Sequence, residues 1–487
     1  MRVYSDWGKE SITLGAPGHS RASPRRRRRR RLIIAAGAVL AGAAAIVVLS
    51  AVGGSGQERA RPPLQILRGP RAKVEARLQP IARTIAARVE KIRGLEFRNR
   101  PRVVVMGDGR LASVGRQIGR TERRRARVHP SRLRADRRLE RASVELDQLA
   151  RLLPPEAALG PDTQTSGLDR IGGAFDFPRD RIIIVPTAIQ TRIQLDYTLA
   201  HELTHALESQ HFNLHLGTLM RPGEASAVHR AVIEGTATLV QDRYQHRYLG
   251  DDIPIAQRIE GARSLIATNP GSYAVNAEAI FDYVDGALFV HNLYQRTGDW
   301  RLVDRALRTP PRQSREILHA DSWPGTSGVQ PIRLGLATVL RQHWRWVGGG
   351  PAGEEQALVI LLAGNLGSEA QTGASGWVGG RFAVWTPRSA QRDCAPDCVL
   401  NNVGVVAFRW HSRDDVSQFN LAAPAYALLG LFAQQLTHRM WKLNDGYLAL
   451  GAAPRASALA FAPRRRLADS PASRSARRAS SYDVRRG

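Results

Sequence analysis

Leu195-Asp196-Tyr197-Thr198-Leu199-Ala200-His201-Glu202-Leu203-Thr204-His205-Ala206-Leu207-Glu208-Ser209 is the stretch on which the reading of the whole chain turns. It contains H-E-x-x-H, the core of a zinc-hydrolase site. On an α-helix, residues four apart share a face, so both imidazoles can reach one ion, with Glu202 beside them to act on a bound water. Projected at about 100° per residue from Leu195, the apolar residues Leu195, Leu199, Leu203, Ala206 and Leu207 fall in an arc of about 0–120°. His201 and His205 fall near 240° and 280°, and Glu202 at roughly 340°, on the border between the faces. One face is expected to pack on a core and the other to open on a cleft. Histidines that merely fill a core would sit within the apolar stripe, and these do not.

A catalytic zinc site takes three protein ligands and a water. Three residues compete for the third place. His211 completes H-E-x-x-H-x5-H, the metzincin spacing, but Glu208 stands where that arrangement needs a glycine to break the helix. Without the break, His211 projects about 100° off the ligand face. Glu224 follows Arg221-Pro222-Gly223, a turn and helix start in which an acidic residue has an ordinary role. Glu234 lies within the mostly apolar, helically periodic stretch 225–244, on its more polar side with Arg230, Thr238 and Gln241. A carboxylate there is costly unless it is paired or bound to a metal. The reading therefore takes His201, His205 and Glu234 as ligands of Zn²⁺ and Glu202 as the catalytic base. Tyr283, His291 and His319 are candidates for stabilising the transition state, His291 having the plainer reading of a core residue. Asp242 and Asp285 are candidates to orient a ligand histidine.

These segments resemble a family of uncharacterised bacterial proteins, membrane-anchored or secreted, that carry a zinc metallopeptidase domain of the gluzincin type. The family's AHELTHAL-x-x-QHF run is matched by Ala200–Leu207 with Gln210-His211-Phe212, and its E-G-x-A helix by Glu234-Gly235-Thr236-Ala237. Gly173-Ala174-Phe175-Asp176 before the run 182–185 is similar to its G-F-Y-D segment. Tyr283-Val284-Asp285-Gly286, Pro310-Pro311, Ile317-Leu318-His319, Gly376-Trp377 and Arg381-Phe382 are similar to further stretches. Thr236 and Gly380 replace residues that are often acidic in the family, and Ala320 replaces a proline. The resemblance spans roughly residues 75–430 and implies a zinc peptidase fold acting on a peptide or protein substrate, with no substrate to transfer.

Arg25–Arg31 is an unbroken basic run, followed by 21 uncharged residues from Leu32 to Val52. That length suits one bilayer crossing, and the arginines would stay on the cytoplasmic side. A single-pass membrane anchor with an extracytoplasmic main domain is expected; a cleaved signal peptide is the competing reading. The later apolar runs 357–363 and 421–436 are too short or too broken to span and are expected as core helices. Cys394 and Cys398 could close a small disulfide loop outside the cytoplasm.

The net charge of +28 raises nucleic acid as a partner. The arginines, however, concentrate at both ends and in 120–141, only four lysines occur, and no specific nucleic-acid-reading motif is present. An anionic lipid, wall polymer or acidic protein stays open as an electrostatic partner. The expected organisation is a cytoplasmic Arg-rich disordered segment (1–31), a transmembrane helix (32–52), a linker (53–74) and an N-terminal α/β subdomain (75–164). The catalytic core (165–330), a C-terminal subdomain (331–455) and a disordered basic tail (456–487) follow. The expected fold class is α+β: a mainly helical zincin-like core with a small sheet, preceded by one N-terminal transmembrane helix. Strands are expected at 102–106, 182–185, 377–385 and 403–410. The function expected is zinc-dependent peptide hydrolysis at the cell envelope. The alternatives are a degenerate peptidase serving as a scaffold, which the intact Glu202 argues against, and an electrostatic adaptor for which the motif is incidental.

Overall fold

The computed structural model describes residues 64–107, 130–153, 172–177, 179–214, 221–259, 261, 277–278, 280–325, 328–334, 343–364, 366–389 and 396–480. In chain order the elements are α1 (Arg71–Arg93), β1 (Arg102–Val105), α2 (Pro130–Leu149), β2 (Gly173–Asp176), β3 (Arg181–Ile184), α3 (Arg192–His211) and α4 (Glu224–Leu249). A π-helical turn (Phe281–Asp285) runs into α5 (Gly286–Thr297), followed by α6 (Arg301–Arg308), α7 (Ser314–Leu318), β4 (Trp344–Pro351), α8 (Glu354–Leu362) and α9 (Gly367–Ala374). The remainder is β5 (Trp377–Pro387), β6 (Val403–Trp410), α10 (Arg413–Ala425), β7 (Gln434–Thr437), β8 (Met440–Leu443), β9 (Gly446–Ala453), β10 (Ala456–Ala462) and α11 (Arg465–Ser480).

Two sheets organise these elements. The first has the order β1-β3-β2, with β1 parallel and β2 antiparallel to β3. Its central strand is Arg-Ile-Ile-Ile, a β-branched run that suits a pleated, doubly covered position. Ile182 and Ile184 join Val103 and Phe175 in one core with Leu78, Ile85 and Val89 of α1 and Leu195, Leu199 and Leu203 of α3. The sheet and α1 together form the bed on which the H-E-x-x-H helix lies.

The second sheet corrects the expected fold class. It has seven strands, β4-β5-β6-β10-β9-β8-β7, all paired antiparallel, so the expected small sheet is the lesser of two. Every residue of β6 is buried, which requires cover on both faces. One face packs Val406, Phe408 and Trp410 against Trp377, Phe419 and Phe461. The other packs Val403, Val405 and Ala460 against Ala468 and Ala472 of α11.

The expectation of a disordered tail over 456–487 is corrected for 456–480, since β10 and α11 occupy those residues; 481–487 lie outside the described residues. The composition misled because arginine, serine and alanine dominate the segment, with few large apolar residues to signal a core. Ala468, Ala472, Ala476 and Ala479 recur at helical spacing and are all buried, while the polar residues take the remaining faces. The helix comes so close to β9 that a Cβ on Gly451 would lie 2.1 Å from the Ala472 carbonyl oxygen.

Three further expectations change. No helix among the described residues is long and apolar enough to cross a membrane, and the run 32–52 lies outside them, so the transmembrane helix is no part of the described fold. The run 421–436 is not a core helix: α10 ends at Ala425, a π turn and β7 follow, and Leu421, Leu429 and Phe432 are exposed. The subdomain 75–164 is divided, because β1 pairs with β3 beside the H-E-x-x-H helix whereas α2 packs against β4 of the large sheet.

Candidate metal centre

Helix α3 starts at Thr191, whose side chain accepts from Gln194 N–H while the Gln194 side chain accepts from Thr191 N–H, both at 3.1 Å. This reciprocal cap satisfies two of the donors that every helix start leaves open. Leu195, Leu199, Leu203, Ala206 and Leu207 are all at most 1 % exposed and face the core. The opposite face was expected to open on a cleft. It is covered instead: residues Leu195 to Glu208 are buried throughout, and α4 packs along the histidine side.

How α4 and the π turn come so near is set by two glycines. A Cβ on Gly235 would lie 2.3 Å from the Gly286 carbonyl oxygen, and one on Gly286 would lie 2.1 Å from the Ala231 carbonyl oxygen. No side chain fits at that crossing. The contact draws Glu234 and Tyr283 inward together, and π-helical turns of this kind recur at functional sites.

His201, His205 and Glu234 meet there, one ligand atom from each lying within 4.8 Å of the others. Glu234 Oε2 is 3.2 Å from His201 Nε2 and 3.2 Å from His205 Nε2. A charge-assisted hydrogen bond is normally shorter, about 2.7–2.9 Å. Ligands of a tetrahedral ion with bonds of about 2.0–2.1 Å stand about 3.3 Å apart. One carboxylate oxygen equidistant from two imidazole nitrogens fits that second description. The three side chains, 1 %, 4 % and 5 % exposed as residues, are a buried group that can hold a metal ion.

Electrostatics agree with the geometry. Burial alone would raise the Glu234 pKa, but His205 and His201 hold it well below the ordinary carboxylate value. Burial opposes a charge on His205, yet Glu234, with Glu208 behind it, keeps that pKa above the usual histidine value. Glu202 behaves differently. Its pKa is pushed up to about 7, chiefly by burial, with His201 opposing and Glu234 adding to the rise. It accepts from the Phe175 backbone N–H on β2, while its Oε1 is buried with no hydrogen-bond partner among the described residues. A carboxylate with one anchored side, one unsatisfied oxygen and a pKa near neutrality is suited to taking up and releasing a proton.

Of the other expected residues, the structure brings Tyr283 to the centre. It is buried, its ring centroid lies 6.0 Å from that of His201, and its hydroxyl donates to the Glu234 carboxylate. Burial and that acidic neighbour raise its pKa well above the usual tyrosine value. His319 is engaged elsewhere, 2.5 Å from Glu354 Oε1. Asp242 does not orient a ligand; it lies 3.4 Å from Arg258 Nε. Asp285 is buried at the end of the π turn, and His291 has its pKa lowered by burial and by Arg243. Glu224 accepts from Ser314 N and Oγ at 2.8 and 2.7 Å, and His211 Nε2 donates to the Glu96 carbonyl at 2.7 Å. Neither joins the histidine pair.

Gln241, not its neighbour Asp242, contacts a ligand: its Oε1 lies 3.1 Å from His201 Nδ1 and fixes that ring from behind. The signal was present, since Gln241 is two turns after Glu234 on one helix face. A second supporting group had no signal in the spacing. Arg93 of α1 bonds Glu208 at 2.8 Å and Asp304 at 2.5 Å, all close under the last turn of α3. Cys398 is disulfide-bonded, and Cys394 lies outside the described residues. Comparison with known proteins finds no match: no family model, curated protein or solved structure is detectably similar to this chain. The resemblance to gluzincin-type peptidases therefore rests on the residues quoted above.

Proposed function

We propose that the chain is a zinc-dependent peptidase of gluzincin type, with His201, His205 and Glu234 holding the metal and Glu202 as the base. The observation that carries this reading is the single Glu234 oxygen set 3.2 Å from both imidazole nitrogens, with the unsatisfied Glu202 carboxylate on the same helix. The donor set, two imidazoles and one carboxylate, is that of hydrolytic zinc sites. Zinc, when bound, polarises an amide carbonyl and acidifies water. Glu202 takes a proton from the attacking water and gives it to the departing amine nitrogen. Gln241 and Tyr283 hold His201 and Glu234 in place, and the covered face of α3 keeps bulk water from the charges. The disulfide at Cys398 supports action in an oxidising compartment outside the cytoplasm.

The test is metal analysis of the purified chain together with hydrolysis of a mixed peptide pool. One zinc per chain and cleavage that a chelator abolishes are expected. Glu202→Gln should keep the metal and lower kcat by about 10²–10⁴-fold. Zinc bound at one per chain without cleavage of any peptide would replace the enzyme by a scaffold of the same fold. Absence of metal would overturn the reading altogether.

A further inference from the structure

Far from the candidate metal centre in sequence, α2 and β4 frame a half-open pocket of about 340 Å³. Arg137, Arg138, Arg141, Arg345, Trp346 and Val347 line it, and no carboxylate is among them. Two local features build it. On α2, Arg141 stands four residues from Arg137 and three from Arg138, so all three guanidinium groups share one side of the helix. On β4, Val347 is the extra residue of a β-bulge between the Trp346 and Gly348 pairings with β5. A regular strand sends alternate side chains to opposite faces; the bulge re-aims them, and three consecutive residues line one pocket.

The charges there are poorly compensated. Arg141 bonds Glu145 at 2.6 Å. Arg137, Arg138 and Arg345 are exposed and form no ion pair with a described residue. Like charges one helix turn apart destabilise a helix, so the cluster costs stability unless an anion sits between its members. Trp346, 39 % exposed, lies on the wall with the Arg138 guanidinium 5.9 Å from its ring centroid. Guanidinium groups match phosphate oxygens in pairs, and an indole offers a flat apolar surface beside them.

We propose that this pocket is a binding site for a compact phosphorylated ligand that carries adjacent negative charges and a planar ring, the chemistry of a nucleoside diphosphate. The volume is that of a small-molecule site. The proposal is independent of the metal centre and of its chemistry.

Titration calorimetry of the full chain at low ionic strength, with pyrophosphate and with adenosine diphosphate, tests it. The double substitution Arg138→Gln with Arg345→Gln should weaken both probes by about tenfold or more, the loss of at least one charge-assisted contact. The exposed pair Arg413→Gln with Arg439→Gln, remote from the pocket, should leave both unchanged. Trp346→Ala should weaken adenosine diphosphate and spare pyrophosphate. Arg137→Gln alone serves as a milder variant, with an unchanged circular dichroism spectrum as the check that each protein is folded. Equal losses in the pocket and remote pairs would mean general attraction to a basic protein and overturn the site. So would adenosine diphosphate binding no tighter than pyrophosphate, or a pocket pair that binds as the wild type does.

Discussion

The two halves of the molecule bury different things. Around α3 and α4 the interior holds His201, Glu202, His205, Glu208, Glu234, Asp282 and Asp285. In strands β4–β10 Arg409 is the buried charged side chain among the described residues, and the rest of that interior is mostly alanine, valine, leucine and aromatic rings, with Met440, Thr386 and Ser457. Burying a charge is expensive unless a partner or metal offsets it, and no such cost arises where small apolar groups interlock. The helices around the histidine pair thus hold a denser set of buried charges, whereas the strands set Arg409 among mostly apolar groups. Glu208 is offset by Arg93 and Asp282 by Arg230, but one Glu202 oxygen has no partner among the described residues. Glu202, His205, Glu234 and Tyr283, all perturbed and gathered around one histidine pair, mark a candidate functional site.

That contrast can be broken most directly at the ligands. Glu234→Ala should reduce the metal content from one ion per chain to none, whereas Ala472→Leu in the sheet half should leave it at one, both read by atomic emission. A Glu234→Ala protein that still binds one ion would show that the buried charges are not a metal site.

Next in size are the close approaches. Gly235→Ala places a methyl group 2.3 Å from the Gly286 carbonyl and must part α4 from the π turn. A destabilisation of about 3 kcal/mol or more is expected, accompanied by weaker metal binding. Ala472→Leu should cost about 1–3 kcal/mol by overpacking and leave metal affinity alone. Urea unfolding with and without metal separates the two; equal metal affinities would deny that the glycine contact shapes the centre.

The pH dependence of the metal-stripped protein sharpens the same point. A carboxylate whose pKa rises from 4.5 to about 7 on folding takes up protons as the chain folds, so stability falls as pH climbs through that window. Glu202→Gln removes the penalty. The variant should exceed the wild type by on the order of 3 kcal/mol above pH 7, with the gap closing toward pH 4. A constant difference across that range would place the stabilisation elsewhere.

The smallest effect separates two neighbours. Gln241→Leu should weaken metal binding by about 10–100-fold, as loss of a ring-orienting partner does. Asp242→Asn, at a residue turned toward Arg258, should leave the affinity unchanged in a chelator competition assay.

Much of the candidate metal centre was legible in the chain because it obeys helical spacing. His201 and His205 are one turn apart, and Glu234 stood out as a carboxylate in an apolar helix. The same logic gave helices over 195–209 and 225–244 and strands near 182–185, 377–385 and 403–410, where α3, α4, β3, β5 and β6 lie. It failed for β9, β10 and α11. Their alanines and glycines carry little hydrophobic contrast, and they become a core only by packing against one another.

What the sequence by itself determined, then, is local: which residues share a helix face and which carboxylate is too costly to bury unpaired. The tertiary structure alone decided that Gln241 rather than Asp242 meets His201, and that Arg93, far upstream of Glu208, closes under the H-E-x-x-H helix. It also decided that a basic tail covers a sheet. The physical reason is range. Periodicity reports neighbours within a few turns, whereas a close helix crossing or a buried ion pair depends on backbone approaches between segments distant along the chain.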